Sequence, residues 1–144
     1  MPTLHRTASV PYTPAEMFEL VNDIEAYPQF LPWCSNARVL ERDERGIRAT
    51  LEVAKRGFNT SFTTLNLLQK NRQIDMRLVE GPFRRLEGLW RFNPSGSGCR
   101  VSLDMAFEVS GRIMGLTLGP IFNHAANLLV DAFVRRADEV YGGR

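Results

Sequence analysis

Eight residues near the start of the chain read Tyr27-Pro28-Gln29-Phe30-Leu31-Pro32-Trp33-Cys34. Proline fixes φ and has no backbone N–H to donate, so this segment cannot extend a helix or join a central strand. We therefore interpret it as a rigid corner that holds Phe, Leu and Trp side chains in place. Such a corner either fills the core or lines an apolar pocket, and both interpretations stand at this point because apolar side chains usually lie inside.

The residues before the corner predict one strand and two short helices. Apolar and polar residues alternate over Leu4–Val10, which is typical of a strand. Thr13-Pro14-Ala15-Glu16 has the pattern of a capping box with proline in the first turn, and so predicts the start of a helix. The buried face of this helix would consist of Met17, Leu20 and Val21. A second short helix is predicted over Ile24–Phe30, where it runs into the corner.

The residues after the corner alternate with a period of two and are interrupted by short turns. Asn93-Pro94-Ser95-Gly96-Ser97-Gly98 is the clearest turn, and the alternation is most regular over Val101–Val109. About six successive strands joined by short turns favour an antiparallel meander. The inward-facing residues would include Ile47, Ala49, Leu51, Val53, Ile74, Met76, Leu86, Gly88, Trp90, Leu103 and Met105.

A helical pattern covers Ile113–Tyr141 and corresponds to a helix roughly 40 Å long. Gly119-Pro120 is expected to kink this helix or to mark its start. A sheet with one dry face needs a cover, which this helix supplies. We predict an α+β helix-grip fold in a single domain over residues 1–144: a curved antiparallel sheet of about six or seven strands around one long C-terminal helix, with two short helices after the first strand. The apolar stripe of the long helix would contain Leu118, Ile121, Phe122, Ala125, Leu128, Leu129, Ala132 and Phe133.

The bulk composition narrows the function classes. The net charge of +2 is too small to indicate nucleic-acid binding by itself. Of the 18 basic residues 16 are arginine, which binds phosphate and carboxylate as a planar fork, although a GC-rich genome gives the same bias. Cys34 and Cys99 form neither a disulfide framework nor a metal spacing, so a reducing cytosol is the simplest location. The sequence has no signal-peptide pattern and no apolar run long enough to span a membrane.

Five segments together carry a family resemblance. They are Leu20-Val21-Asn22-Asp23-Ile24, the corner, Phe62-Thr63-Thr64, Gly81-Pro82-Phe83-Arg84-Arg85-Leu86 and Trp90-Arg91-Phe92. Through them the chain, from Thr7 to Tyr141, resembles the coenzyme Q-binding START-like family, which also contains the ribosome-association toxins (the RatA group) and lies near the polyketide cyclase/dehydrase group. The resemblance implies a helix-grip fold and non-catalytic binding of an isoprenoid quinone, ubiquinone or a precursor, in support of respiration or quinone biosynthesis. It also implies an alternative, in which the protein binds the large ribosomal subunit and blocks subunit joining.

A quinone site would need apolar walls and one or two donors for the ring carbonyls. The candidate donors are Tyr27, Trp33, Thr64 and Asn123. A long prenyl tail would overfill a pocket of roughly 300–1,000 Å³, so a membrane surface or a second subunit should shelter part of it. The candidate wall residues, each of which is also explained as ordinary core, are Tyr27, Phe30, Leu31, Trp33, Phe58, Phe62, Leu78, Phe83, Trp90, Phe92, Phe107, Phe122, Leu129 and Phe133.

Arg84 and Arg85 follow a Gly-Pro turn and are the predicted surface contact. They would meet phospholipid headgroups or ribosomal RNA phosphates, or would simply be solvated charges at a sheet edge. The expected partners are thus an isoprenoid quinone, the membrane surface and the large ribosomal subunit, and the expected location is the cytoplasm, with a peripheral contact at the inner face of the cell membrane. Further arginines on or near the sheet, interleaved with acids, are Arg42, Arg45, Arg48, Arg56, Arg72, Arg77, Arg91 and Arg100.

The case for an enzyme is weak in this sequence. A cyclase-type reaction would need a base, and His124 on the long helix is the candidate. A single histidine without a positioned partner does not make an active site, and no metal-binding motif or nucleophile elbow is present. We therefore predict no catalytic activity and no cofactor, with ubiquinone as a bound ligand, and interpret Cys34 and Cys99 as inert packing.

Overall fold

Seven strands form one antiparallel sheet whose order is β1-β7-β6-β5-β4-β3-β2, and the helices cover one face of it. The computed structural model describes residues 3–55 and 57–142. The predicted α+β helix-grip fold is confirmed, including the two short helices after the first strand. The elements are β1 Thr3–Val10, α1 Pro14–Asn22, a 3₁₀ helix Ile24–Gln29, β2 Cys34–Arg42, β3 Gly46–Lys55, β4 Phe58–Gln69, β5 Gln73–Glu80, β6 Phe83–Ser95, β7 Gly98–Val109, α2 Arg112–Asn127 and α3 Leu129–Tyr141.

The capping box at the start of α1 forms as predicted. Thr13 Oγ1 accepts a hydrogen bond from the Glu16 N–H at 3.1 Å, and Glu16 Oε1 accepts one from the Thr13 N–H at 3.0 Å. These bonds satisfy N–H groups that have no partner within the helix. Three residues separate the end of β1 from this helix, which places Met17 and Val21 in the core.

The Pro-rich corner is fixed by backbone hydrogen bonds at both of its ends. The N–H groups of Phe30 and Leu31 donate to the Tyr27 carbonyl at 3.2 and 2.9 Å. The Ala54 N–H donates to the Trp33 carbonyl at 2.9 Å, which attaches the corner to β3. The chain therefore enters β2 in a fixed direction, with Trp33 held next to the C-terminal helices.

The strand alternation predicted from the sequence is confirmed in β3, β6 and β7. One face of each strand is apolar and buried, and it points toward the helices, because successive side chains of a strand point to opposite faces. The buried hydrophobic residues on these three strands are Ile47, Ala49, Leu51, Val53, Phe83, Leu86, Trp90, Phe92, Cys99, Val101, Leu103, Met105 and Phe107.

The two outer strands of the sheet are β1 and β2, and the ladder is not regular throughout. In β2 the pairing shifts register twice, between Cys34 and Asn36 and again between Val39 and Glu41. The β5–β6 ladder ends at the Arg77–Glu87 pair, so beyond this point the two strands diverge toward their connecting turn.

The long C-terminal helix is broken at Leu128 into α2 and α3, whose axes differ by 47°. A helix start at Gly119-Pro120 was the wrong alternative, since both residues lie inside α2, whereas a kink at this position stays a prediction. The bend at Leu128 lets α2 and α3 both keep an apolar face on a curved sheet. Among the described residues no single helix is long and apolar enough to cross a membrane; only the bent pair passes by length and composition.

Candidate ligand-binding hollow and basic surface

Most of the predicted aromatic wall residues pack against one another in two clusters between the sheet and the helices. The first cluster lies under α2, with ring centroids 4.8 to 6.0 Å apart, and contains Phe62, Phe83, Phe107 and Phe122. The second lies under the corner and α3, with centroids 5.2 to 6.3 Å apart, and contains Tyr27, Phe30, Trp90, Phe92 and Phe133. The interior is therefore largely filled by the protein's own side chains.

Three cavities between the sheet and the helices are lined by the described residues, and together we call them the hollow. The central cavity, of about 50 Å³, lies between the two aromatic clusters. The deep cavity, of about 30 Å³, lies under α1 and the 3₁₀ helix and shares Tyr27, Leu51, Met76 and Trp90 with the central one. The mouth cavity, of about 190 Å³, lies between the corner and the α2–α3 break. The shared walls place the three in series from the surface inward.

The boundary between the mouth cavity and the central cavity consists of three residues that line both, Trp33, Ala125 and Leu129. The outer rim of the mouth carries the charged or titratable side chains of Lys55, His124 and Arg135. An apolar molecule entering here would pass a polar rim and then meet a wall of indole and aliphatic side chains.

The predicted wall residues divide into two groups. Those that line one of the three cavities are Tyr27, Leu31, Trp33, Phe62, Trp90, Phe122, Leu129 and Phe133. Those that line none of them are Phe30, Phe58, Leu78, Phe83, Phe92 and Phe107. Phe83 and Phe107 belong to the first cluster, and Phe92 stacks on Trp90. The Phe30 ring is covered by the Arg136 guanidinium, whose carbon lies 5.1 Å from the ring centroid. A ligand contact by any of them remains a prediction.

Several lining residues were not selected from the sequence. The central cavity also contacts Leu51, Met76, Met105, Ala125 and Ala126. Asn66 lines the deep cavity beside Thr64. The sequence pattern could have identified Asn66 as a lining residue, because it continues the period-two alternation of Phe62 and Thr64 and therefore lies on the same face of β4.

The four candidate donors lie in different surroundings. The Tyr27 hydroxyl donates to the Val21 carbonyl, and burial raises the pKa of this phenol well above its usual range. Trp33 is half-buried at the boundary of the mouth, and Thr64 is buried in the deep cavity. Asn123 was a wrong choice: Phe122 and Ala126 face the sheet, so Asn123 lies on the solvent face of α2, where its carbonyl groups accept from Asn127.

Three pairs of side chains contact each other on the outer face of the sheet. Asp104 contacts His5 at 2.5 Å, Arg77 contacts Asp75 at 3.0 Å, and Arg85 contacts Glu87. An open depression of about 670 Å³ lies here on the side opposite the hollow. Its charged lining consists of the carboxylates of Asp75, Glu87 and Asp104 and the guanidinium of Arg77, with His5 beside them, so acidic groups outnumber basic ones there.

One corner of this face differs, and we call it the basic patch: Lys70, Arg72, Arg91 and Arg100. In the β6–β7 ladder Arg91 lies opposite Ser102, and Arg100 lies opposite Asn93. The two arginines are therefore diagonal neighbours on the two strands. The Phe92 N–H donates to the Arg72 carbonyl at 2.8 Å, which places the β4–β5 turn beside them. All four side chains are exposed, and none has an ion-pair partner in residues 3–55 and 57–142.

The predicted surface pair Arg84 and Arg85 also lies in solvent. Phe83 points inward, and both arginines after it are exposed. Arg85 is bound to Glu87, whereas Arg84 has no acidic partner within the described part of the chain. Arg56, another predicted sheet arginine, lies outside the described residues.

The site offers little for acid–base or metal chemistry. His124 is exposed at the rim of the mouth cavity and lines neither the central nor the deep cavity. Cys34 and Cys99 are buried and free, and burial raises the pKa of each thiol to about 11, which suppresses the reactive thiolate. No group of three or more potential metal ligands occurs among residues 3–55 and 57–142.

Comparison with known proteins places this arrangement in a family. Residues 10–134 match the family described as polyketide cyclase / dehydrase and lipid transport. The chain is 46% identical over 140 residues to the ribosome association toxin RatA of Pseudomonas aeruginosa, covering 96% of this chain and 97% of that protein. It is 43% identical over 145 residues to RatA of Escherichia coli, covering 100% of this chain and 92% of that protein.

More distant similarities are consistent with the fold. The coenzyme Q-binding protein COQ10 homolog B of Xenopus laevis is 27% identical over 132 residues, covering 88% of this chain and 54% of that protein. The solution structure of an 18 kDa protein from Caulobacter crescentus is 32% identical with a TM-score of 0.75, and the match covers 99% of this chain and 100% of that one. A Streptomyces aromatase/cyclase is 18% identical with a TM-score of 0.78, covering 99% of each chain, and shares the fold alone.

Proposed function

The chain belongs to the polyketide cyclase / dehydrase and lipid transport family, and we propose that within this family it is a non-catalytic protein that associates with the ribosome. One observation carries this proposal. Relatives that are 43% and 46% identical over almost the whole of both chains are named ribosome association toxins, whereas the coenzyme Q-binding relative is 27% identical and matches over 54% of its own length. The largely filled interior agrees with a function exerted from the surface.

The basic patch is the part of the surface best suited to ribosomal RNA. Segments 66–74 and 90–103 contain its four cations and no acid. Elsewhere on the same face the cations of Arg77 and Arg85 are already neutralised by neighbouring carboxylates. Unpaired arginines can bind phosphate oxygens as a fork and release the counterions of the RNA, so they supply affinity that does not depend on sequence.

Co-sedimentation with purified ribosomal subunits tests both the function and the surface. We expect the wild-type protein to sediment with the large subunit at low salt and to be released as salt rises. In Arg91→Glu/Arg100→Glu, loss of two phosphate contacts should weaken binding about tenfold or more and reduce the slope of log K against log salt by about 1.4–1.8.

The matched control is Arg84→Glu/Arg85→Glu, which makes the same change of charge at the Gly-Pro turn. Unchanged binding by this control would assign the contact to the basic patch. The opposite result, loss of binding only at the Gly-Pro turn, would assign it to the pair that the sequence first indicated. A wild-type protein that sediments with neither subunit at low salt would refute ribosome association itself.

A second function is favoured by a separate observation, the series of three cavities from the mouth to the deep end. We propose that this hollow binds an apolar ligand of the coenzyme Q type, whose tail remains partly outside because the cavities are small. Both tryptophans of the chain, Trp33 and Trp90, line the hollow, so titration with a short-chain ubiquinone should quench their fluorescence. Protein that shows no saturable quenching, and that carries no lipid when extracted from cells and analysed by mass spectrometry, would rule this function out.

A further inference from the structure

Two buried polar side chains lie on the inner face of β4. Thr64 is 3% exposed and Asn66 is 7% exposed, and both line the deep cavity. Phe62 precedes them on the same face and Leu68 follows them. The other side chains around the deep cavity are aliphatic or aromatic, and among them the Tyr27 hydroxyl is already bound to the Val21 carbonyl.

The hydrogen bonds of this pair are incomplete. The Thr64 hydroxyl donates to Asn66 Oδ1 at 3.1 Å. The Asn66 side-chain nitrogen, which carries two N–H donors, has no acceptor among residues 3–55 and 57–142. Because Asn66 lines the deep cavity, this nitrogen is available to donate a hydrogen bond to a group that enters the cavity.

The unpaired donor lies at the inner end of the hollow. The deep cavity, of about 30 Å³, has room for roughly one water-sized group, and it adjoins the central cavity through Met76 and Trp90. Methionine side chains are flexible and adapt to a guest, so we expect a ring to enter the space between the aromatic clusters by displacing Met76 and Met105. Such a ring would stack near Trp90 with one substituent in the deep cavity.

We propose that Thr64 and Asn66 form a recognition site for the acceptor oxygen of a ring-bearing apolar ligand, such as the carbonyl of a quinone. Asn66 donates a hydrogen bond to this oxygen, and Thr64 holds the amide in orientation by its own bond to Oδ1. The ring occupies the central cavity and the tail leaves through the mouth. This inference rests on the second function proposed above. It explains why the ligand would bind with its oxygen-bearing end innermost in the hollow.

The test compares two probes that differ only in oxygen. Duroquinone has a tetramethyl ring with two carbonyls, and durene has the same ring and methyl groups without them. Calorimetric titration of the wild-type protein should show tighter binding of duroquinone. In Thr64→Val/Asn66→Leu we expect duroquinone binding to fall about tenfold or more, because a buried hydrogen bond is lost, while durene binding stays the same or improves.

The control variant is Asn59→Leu, the same change at an exposed position of the same strand, which should bind both probes as the wild type does. A wild type that binds neither probe would reject the ligand-binding function. A wild type that binds duroquinone, with a double variant that binds it unchanged, would reject the recognition site and leave that function standing.

A measurement on the wild-type protein covers the case in which the double variant does not fold. In ¹⁵N-labelled protein the side-chain N–H₂ resonances of Asn66 should shift when duroquinone is added and remain in place with durene. If neither probe moves these resonances although duroquinone binds, the deep cavity holds only an ordered water and the proposal is overturned.

Discussion

At the scale of single residues, one glycine is required by the close approach of two backbones. A Cβ atom on Gly98 would lie 2.0 Å from the Val10 carbonyl oxygen, which neither strand can avoid without moving. We expect Gly98→Ala to lower the free energy of unfolding by about 1–3 kcal/mol or more. Urea denaturation measures this, with Gly115→Ala as the control: Gly115 has open space around its Cβ position inside α2, so alanine should stabilise by about 0.5–1 kcal/mol. Equal effects of the two substitutions would contradict the packing described for Gly98.

The two buried thiols predict how stability changes with pH. Burial raises the pKa of Cys34 and Cys99 to about 11 from an ordinary value of 9.0. As pH rises from about 9 to about 11 the unfolded chain loses thiol protons that the folded chain retains, so the free energy of unfolding falls, by up to about 1.4 kcal/mol per group and pH unit. The buried Tyr27 phenol acts in the same direction at higher pH.

Denaturation under reducing conditions at several pH values between about 8 and 10.5 measures this loss. Cys34→Ala/Cys99→Ala should have a flatter profile over this range, even if its stability is lower at neutral pH. A profile as steep in the variant as in the wild type would show that the thiols are not its cause.

The role of a residue could be predicted from the sequence when it involves only residues close to it along the chain. Thr13 and Glu16 were identified because a capping box involves only neighbours in sequence. Asn66 was missed and Asn123 was wrongly chosen, because a side chain's access to the hollow depends on how strand and helix faces meet. Alternation along β4 places Thr64 and Asn66 on the same face of the strand. It does not say which residues of that face border a cavity, and so Thr64 was selected and Asn66 was not.

At the scale of elements, the position of a proline within its helix determines its cost. Pro14 is in the first turn of α1, where its missing N–H has no partner to lose. Pro120 lies inside α2 on the exposed face, where it removes a backbone hydrogen bond and supports no core contact. We expect Pro120→Ala to raise the free energy of unfolding by about 1–3 kcal/mol, and Pro14→Ala to change it by less than about 0.5 kcal/mol. A loss of stability in Pro120→Ala would mean that α2 depends on the ring.

The elements themselves were largely predictable because their patterns are strong. The alternation in β3, β6 and β7 and the turn before Gly98 each gave the observed strand ends within a few residues. The break between α2 and α3 was not predicted, because the residues around Leu128 include no proline or glycine. It directly follows Asn127, whose side chain donates to the Asn123 carbonyl at 2.8 Å and so competes with the helix backbone.

At the scale of the whole molecule, one apolar cluster joins all of the layers. It includes buried residues from the first strand, α1, the central strands and both C-terminal helices, among them Val10, Met17, Trp90 and Phe133. We therefore expect unfolding in a single cooperative step, with tryptophan fluorescence and far-ultraviolet circular dichroism giving the same midpoint. A separate, earlier loss of helical signal would show that α2 and α3 form a unit of their own and would contradict the single domain predicted for residues 1–144.

The crooked outer strand β2 has a consequence for how this protein behaves among copies of itself. An open edge of a sheet offers unpaired N–H and C=O groups on which another polypeptide can extend the ladder, the first step toward aggregation. The two register shifts in β2 prevent its edge from being straight, and Arg38, Glu41 and Arg42 add charge along it. At high concentration we therefore expect the protein to resist edge-to-edge assembly into fibrils, although its sheet is open and has two edges.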